Sequence, residues 1–167
     1  SINGLIYIRG QREDYDAWAS QGNPGWSYDD VLPYFIRSER NQRGASAYHG
    51  DSGPLWVSDI GASNELIDAF IDGAVELGVA RSDDFNGQTQ EGAGYYQLNT
   101  RNGWRWSTAK AYLRPARGRS NLQVQTDAQA TRVEMSGKRA TGVHYHQGGV
   151  DRLASCRREV VLSAGAI

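Results

Sequence analysis

The period of the residues changes near position 121, and that change limits what the chain can fold into. "NLQVQT", "QATRVEM" and "ATGVHYH" alternate in character as half-buried strands do, with "SGK" and "QGG" between runs where hairpin turns belong. Ahead of them the clearest signal is helical. In Asn64–Leu77 the apolar residues Ile67, Phe70, Ile71, Ala74 and Val75 recur at helical spacing, and Gly78 ends the run. "GWSYDDVLPYF" carries a start signal: Ser27 as N-cap, Asp30 three residues on, and Trp26 with Val31 in the staple positions. Asp29 and Asp30 also stand at the positive end of that helix. Pro33, past the first turn, predicts a kink or a short helix. Tyr28, Val31, Leu32 and Phe35 form its core-facing stripe.

The remaining elements are short. Residues 5–8 predict a strand ending at Gly10, and a polar helix follows around Asp14–Ala19. "YHGDSGPLWVS" is turn-rich and then strand-like. "YYQLNT" predicts a strand, "RNG" a turn, and "RWSTAKAYLRP" a short helix stopped by Pro115. No strand–helix–strand series connects these pieces, so the fold class is α+β. One stretch does not fit: Val160–Leu162 is a continuous apolar run and predicts a strand buried on both faces.

Composition excludes several functions. The chain has 167 residues, 39% hydrophobic, and a net charge of -1, which suits a globular domain and removes the electrostatic case for nucleic acid. No run has the length of a membrane span or the layout of a signal peptide. The single cysteine, Cys156, excludes an internal disulfide and fits a reducing compartment. The twenty glycines fall at separated turns, so many tight connections are expected.

No constellation in the residues makes a self-contained active site. His144 and His146 share one side of a predicted strand, but no third ligand has matching spacing, so no metal is expected. His49 in "YHGDSG" has no nucleophile partner and reads as a turn residue. "NGWRWST" suits either a sugar or cation platform or core packing beside a helix start. "GAGYY" lacks the full glycine fingerprint of a phosphate loop.

"SINGLIYIRGQREDYD" resembles the tail of the first signature of the glucose–methanol–choline flavoprotein oxidoreductases. Ile2, Asn3, Tyr7, Gly10 and Asp16 stand in the signature's places. The likeness continues in order through "DYDAWASQGNPGWSYDDVLPYFIRSE", "YHGDSGPLWVS", "GAGYYQLNTRNGWRWSTAKAYLRPA" and "REVVLSAGAI". The resemblance implies an internal piece of a larger enzyme, made of part of an FAD-binding Rossmann-type domain and part of the substrate-binding domain. It apportions residues 1–20 to a flavin-contacting loop and the start of a helical segment. Residues 21–120 become a helical and loop part bridging the two domains, and 121–167 a β-rich part of the FAD-binding domain.

Site residues follow from the same likeness. Ser1, Asn3 and Gly4 match the loop against the flavin and its phosphates. Val133 matches a residue whose backbone reads the adenine edge. Ala164 and Gly165 match the small turn after a Rossmann strand. Ile2 holds the place of a histidine that tethers FAD in some relatives, so noncovalent FAD is expected. No residue here matches the catalytic histidine or its partner, and the glycine-rich pyrophosphate unit is not among these residues. The parent is expected to oxidise a primary alcohol by hydride transfer to the flavin, with the piece alone inactive. Choline, an aliphatic alcohol and a polyether stay open as substrates, and oxygen, a dye or a quinone as electron acceptor. A cytoplasmic or membrane-associated setting and some self-association through unpartnered strands are expected. The rival reading is a non-enzymatic binding module whose Trp and Tyr residues dock a sugar or a protein.

Overall fold

Helix starts in this protein are set by side chains within three residues of the first turn. α1 (Arg12–Ser20) and α2 (Tyr28–Ser38) begin alike: Asp14 accepts from the Gln11 amide at 2.8 Å, and Asp30 from the Ser27 amide at 3.2 Å. Ser27 Oγ returns the bond by accepting from the Asp30 amide at 3.3 Å, which completes the predicted capping box. Pro33 does not shorten α2, which runs on to Ser38. Aromatic packing offsets the lost rung: the Tyr15 ring lies 5.5–6.2 Å from the rings of Trp18, Tyr28 and Phe35. Asp16 also accepts from the Tyr28 amide at 2.9 Å, joining the two helices.

The structure, a computed structural model, describes residues 3–165. They fall into two compact units that part between Arg117 and Gly118. In the first, α2 passes directly into β1 (Glu39–Asn41), which pairs in parallel with β2 (Leu55–Val57) in the register Glu39↔Leu55, Arg40↔Trp56, Asn41↔Val57. The loop between them folds back onto β1. The Asn41 amide donates to the Gly50 carbonyl at 2.7 Å, and the Gly53 amide to the Glu39 carbonyl at 2.8 Å. Only glycine allows that approach: a Cβ at Gly50 would stand 1.9 Å from the Ile36 carbonyl oxygen, and one at Gly53 2.3 Å from the Ser38 carbonyl carbon.

α3 (Glu65–Glu76) is capped by Asn64, whose side chain accepts from the Leu66 amide at 3.0 Å, and Gly78 follows it at φ 94°. Of its predicted stripe only Ile71 is fully buried, and Phe70 is 78% exposed. β3 (Thr100–Arg101) and β4 (Trp104–Arg105) form a hairpin across Asn102–Gly103, both at positive φ, as a type I′ turn demands. A π-helical turn at Ala109–Leu113 leads into α4 (Arg114–Ala116). Pro115 therefore lies inside the helical segment instead of stopping it, at the second residue of α4, where a missing N–H is tolerated. The predicted strand at 5–8 shrinks to a single bridge between Ile6 and Leu98, because Leu5 turns through φ 70°.

The second unit is an antiparallel meander of β5 (Gln129–Ser136), β6 (Arg139–Gln147) and β7 (Val150–Ser155). Gly148 and Gly149, at φ 60° and 80°, make the second hairpin turn. Two strand expectations fail here. Residues 121–126 pair with no strand, and Val160–Leu162 forms no strand. Val161 and Leu162 are 75% and 74% exposed, since no strand among the described residues pairs with them. Helices and short strand pairs interleave in the first unit, an antiparallel meander makes the second, and the α+β class is borne out. No described helix is long and apolar enough to cross a membrane.

The tight loop over β1 gives a stability test. Gly50→Ala must push a methyl into backbone, so it should lower the unfolding free energy by about 3 kcal/mol or more, at the upper end for overpacking. Gly61→Ala, where nothing lies within 4 Å, should change it by less than about 0.5 kcal/mol. Equal denaturant midpoints for the two variants would refute the packing argument.

Candidate functional site

Glu39 has no exposure at all, although it is a carboxylate. Burying such a group is tolerable only when its charge is paired and its lone pairs are used. Four donors do this. Arg9 Nη2 lies at 2.7 Å, Asn41 Nδ2 at 2.9 Å, His49 Nδ1 at 3.0 Å from both carboxylate oxygens, and the Gly50 amide at 3.3 Å. Arg9 is saturated in turn: Nη1 donates to the Tyr48 carbonyl at 2.7 Å, Nε approaches the Tyr7 hydroxyl at 3.4 Å, and its plane lies 5.1 Å from the Phe35 ring centre. On its far side His49 Nε2 meets Asp84 Oδ2 at 2.9 Å.

The result is a row of alternating charge: Arg9, Glu39, His49, Asp84. Burial by itself would pull the His49 pKa down. Hydrogen bonds from the His49 ring to Asp84 and Glu39, with the field of both carboxylates, outweigh it and raise the pKa to about 9. Burial would raise Asp84, yet its bonds with His49 and the Asn86 amide hold its carboxyl below the usual range. A protonated His49 donates from both ring nitrogens. Asn41 Nδ2 spends its two protons on Glu39 and on Gln97 Oε1, the latter at 2.8 Å, so its 3.1 Å approach to His49 Nδ1 is contact without a bond.

From this row, side chains reach the N-terminal loop. Asp84 Oδ1 accepts from the Asn86 amide at 2.9 Å. Asn86 then clamps the chain on two sides, with Oδ1 accepting from the Arg9 amide at 2.8 Å and Nδ2 donating to the Tyr7 carbonyl at 3.0 Å. Gln90 donates to the Arg9 carbonyl at 2.7 Å, and the Tyr7 amide donates to the Gln97 carbonyl at 2.8 Å. Residues 9–13 and 85–91, with Tyr28 and Tyr48, line a cleft of about 430 Å³. Its two arginines are engaged already, Arg9 with Glu39 and Arg12 with Asp29 at 2.9 Å.

At the front of the clamped segment lie Asn3 and Gly4, both exposed. Asn3 Oδ1 accepts from the Leu5 amide at 3.2 Å and from Arg105 Nη1 at 2.9 Å, which holds the turn at Leu5 open. Ser1 and Ile2 lie outside the described residues. The other candidates are in the second unit. Val133 is half-buried in β5 opposite Val143, Ala164 is exposed, and Gly165 has φ 106° with open space where a Cβ would project. Asn3 and Gly4 are brought together only as chain neighbours, and so are Ala164 and Gly165.

The histidines sort differently from their sequence reading. His144 pairs with Glu134 at 2.5 Å and His146 with Asp151 at 2.8 Å, as separate pairs on the strands. His49 is no simple turn residue, since its ring is buried between two carboxylates. Its carboxylate partners are 10 and 35 residues away, so no local spacing could have marked it. The Trp-rich stretch divides: Trp104 is 75% exposed, whereas Arg101 already lies over the rings of Trp56 and Trp106, at 4.7 and 5.0 Å.

The family model described as GMC oxidoreductase matches residues 1–167. The chain belongs to the GMC oxidoreductase family. It is 42% identical over 167 residues to mitochondrial choline dehydrogenase of Mus musculus, covering all of this chain and 28% of that protein. Against the oxygen-dependent choline dehydrogenase of Brucella ovis the figures are 41%, all of this chain and 30%. The crystal structure of pyridoxine 4-oxidase from Mesorbium loti superposes with a TM-score of 0.82 at 28% identity, over 92% of this chain and 31% of that one. The chain therefore spans under a third of the length of these relatives.

GMC oxidoreductases are FAD-dependent in general, and nothing in the loop blocks such a group: Gly4 is exposed and offers no side chain, and the Arg105 guanidinium stands beside it on Asn3.

The ion row sets a pH dependence. His49 is raised above its unfolded value of 6.5, so its contribution to stability is complete below that value and is lost as pH rises through about 9. Asp84 is lowered, so its contribution is present above its unfolded value of 3.8 and is lost as pH falls through the acid range. The unfolding free energy from denaturant titration should therefore fall between pH 6.5 and 9 in the native chain, and this limb should flatten in His49→Gln. An unchanged limb in the variant would remove His49 as its source.

Proposed function

We propose that this chain is the part of an FAD-dependent alcohol dehydrogenase that carries a flavin-facing loop, and that the whole enzyme oxidises choline or a related primary alcohol to the aldehyde. The observation that carries the reading is identity of 41–42% across all 167 residues to proteins named choline dehydrogenase. Bound FAD would supply the hydride acceptor. The roles left to this chain are binding and orientation. Asn3 and Gly4 offer backbone close to the cofactor, Val133 presents its main chain to the adenine, and Ala164 with Gly165 leaves room where bulk would collide. Ile2 has no nucleophilic atom, so the cofactor is held without a covalent tether.

The division into residues 1–20, 21–120 and 121–167 belongs to the same proposal, as flavin loop, bridging part and β-rich flavin-domain part. Its partners are a small alcohol and an electron acceptor. No nucleic acid is expected at a net charge of -1, and self-association of these residues alone would use exposed apolar positions such as Val161 and Leu162. By themselves the residues do not turn over alcohol: they contain no Gly-x-Gly-x-x-Gly, and His49, His144 and His146 are each engaged with carboxylates.

The test is to read the source gene through both ends of these residues, purify its product, and follow alcohol-dependent reduction of a dye beside oxygen uptake. The expected outcome is a flavin spectrum that is released on denaturation, reduction driven by choline, and no alcohol-dependent rate from the 167 residues alone. Flavin that stays on the denatured chain would overturn the noncovalent assignment. Absence of flavin and of alcohol oxidation in the whole product would overturn the function.

A further inference from the structure

We propose that His49, wedged between Glu39 and Asp84, is a positioning residue for the Asn3–Gly4 loop and thereby for flavin binding; this rests on the reading of that loop given above. The loop has two sets of backbone anchors. On one side the Asn99 amide donates to the Leu5 carbonyl and the Tyr7 amide to the Gln97 carbonyl, both at 2.8 Å. On the other side Asn86 holds the Arg9 amide and the Tyr7 carbonyl, and Gln90 holds the Arg9 carbonyl. Asn86 is a good clamp only while its own backbone is fixed, and the Asp84 carboxylate fixes it by accepting from its amide.

Asp84 is half-exposed, and of its two oxygens one serves Asn86 and the other His49. His49 is buried and is held from behind by Glu39, which has no exposure. The chain of contact therefore runs from the fully buried Glu39 through His49, Asp84 and Asn86 to the backbone at residues 7–9. Arg9 closes it into a ring, because its guanidinium is bonded to Glu39 while its amide is bonded to Asn86. A residue acting only in general packing would have no reason to be linked by single, directed bonds to one loop.

The experiment uses the whole gene product, with His49→Gln and Asp84→Asn compared with wild type. Amide deuterium exchange is measured without added flavin, and FAD affinity by flavin-fluorescence titration. Both variants should exchange faster at residues 7–10 with the amides of α3 unchanged. FAD affinity should fall by roughly 10-fold or more, on the analogy of the loss seen when the hydrogen-bond partners of metal ligands are removed. Unchanged exchange at 7–10 in Asp84→Asn, which loses a half-exposed charge and keeps its volume, would overturn the proposal even if His49→Gln fails to fold. Faster exchange with unaltered FAD affinity would overturn the link from His49 to the cofactor. Wild-type protein that binds no FAD would overturn the functional reading itself, a result distinct from either.

Discussion

A carboxylate with no exposure dictates the arrangement around it. Glu39 stands at the junction of α2 and β1, and the partners that neutralise it come from residues 9, 41, 49 and 50. Removing one partner of such a buried pair typically costs about 3–5 kcal/mol, because the charge left behind has no solvent. That penalty acts as a specification. β1 and β2 have three residues each, too few for hydrophobic alternation to fix their register. Glu39 holds the loop between the strands instead, through His49 and the Gly50 amide on its carboxylate.

The same dependence shows in what is buried. The buried apolar residues among those described are Tyr15, Tyr28, Val57, Ile71, Phe85 and Ala111, while Arg9, Glu39, Asn41, His49, Ser82, Asn86 and Gln97 are buried polar residues. A centre of this kind gains little from area burial and depends on saturation of hydrogen bonds. Among the described residues no buried side-chain polar atom lacks a partner. The tight glycines serve this end: Gly50 and Gly53 bring a loop onto β1 closely enough for its backbone to take part.

What could be read from the sequence was whatever acts over three or four residues. Ser27 with Asp30, Asn64 with Gly78, Asn102–Gly103 and Gly148–Gly149 each carry their own geometry, and each is found where expected. Pairing is not local, and there the reading failed. Residues 121–126 and Val160–Leu162 have strand composition, but a strand exists only where a neighbour supplies its hydrogen bonds. The ion row was invisible for the same reason. Arg9, Glu39, His49 and Asp84 come from four separate segments, and each looks like an ordinary surface residue in its own context. The candidate cofactor residues came from ordered likeness to a family and not from local chemistry. Exposed small residues such as Gly4 and Ala164 carry no signal of their own.

A row of four alternating charges has a consequence for how the protein can vary. As a set it sums to zero, and each member neutralises its neighbours. Loss of any one interior member leaves a charge without its partner, at a cost of about 3–5 kcal/mol against a typical net stability of about 5–15 kcal/mol. An apolar replacement of the whole set could be neutral, but every single-step path to it passes through such an intermediate. Substitutions within the row should therefore couple strongly and not add, as expected for residues sharing one network. Glu39, like His49, has two neighbours in the row, and it has no solvent to fall back on, so it is the member whose replacement the others can least accommodate. Asp84, half-exposed at the end of the row, has water as an alternative partner, so its replacement costs the row the least stability even where it releases Asn86.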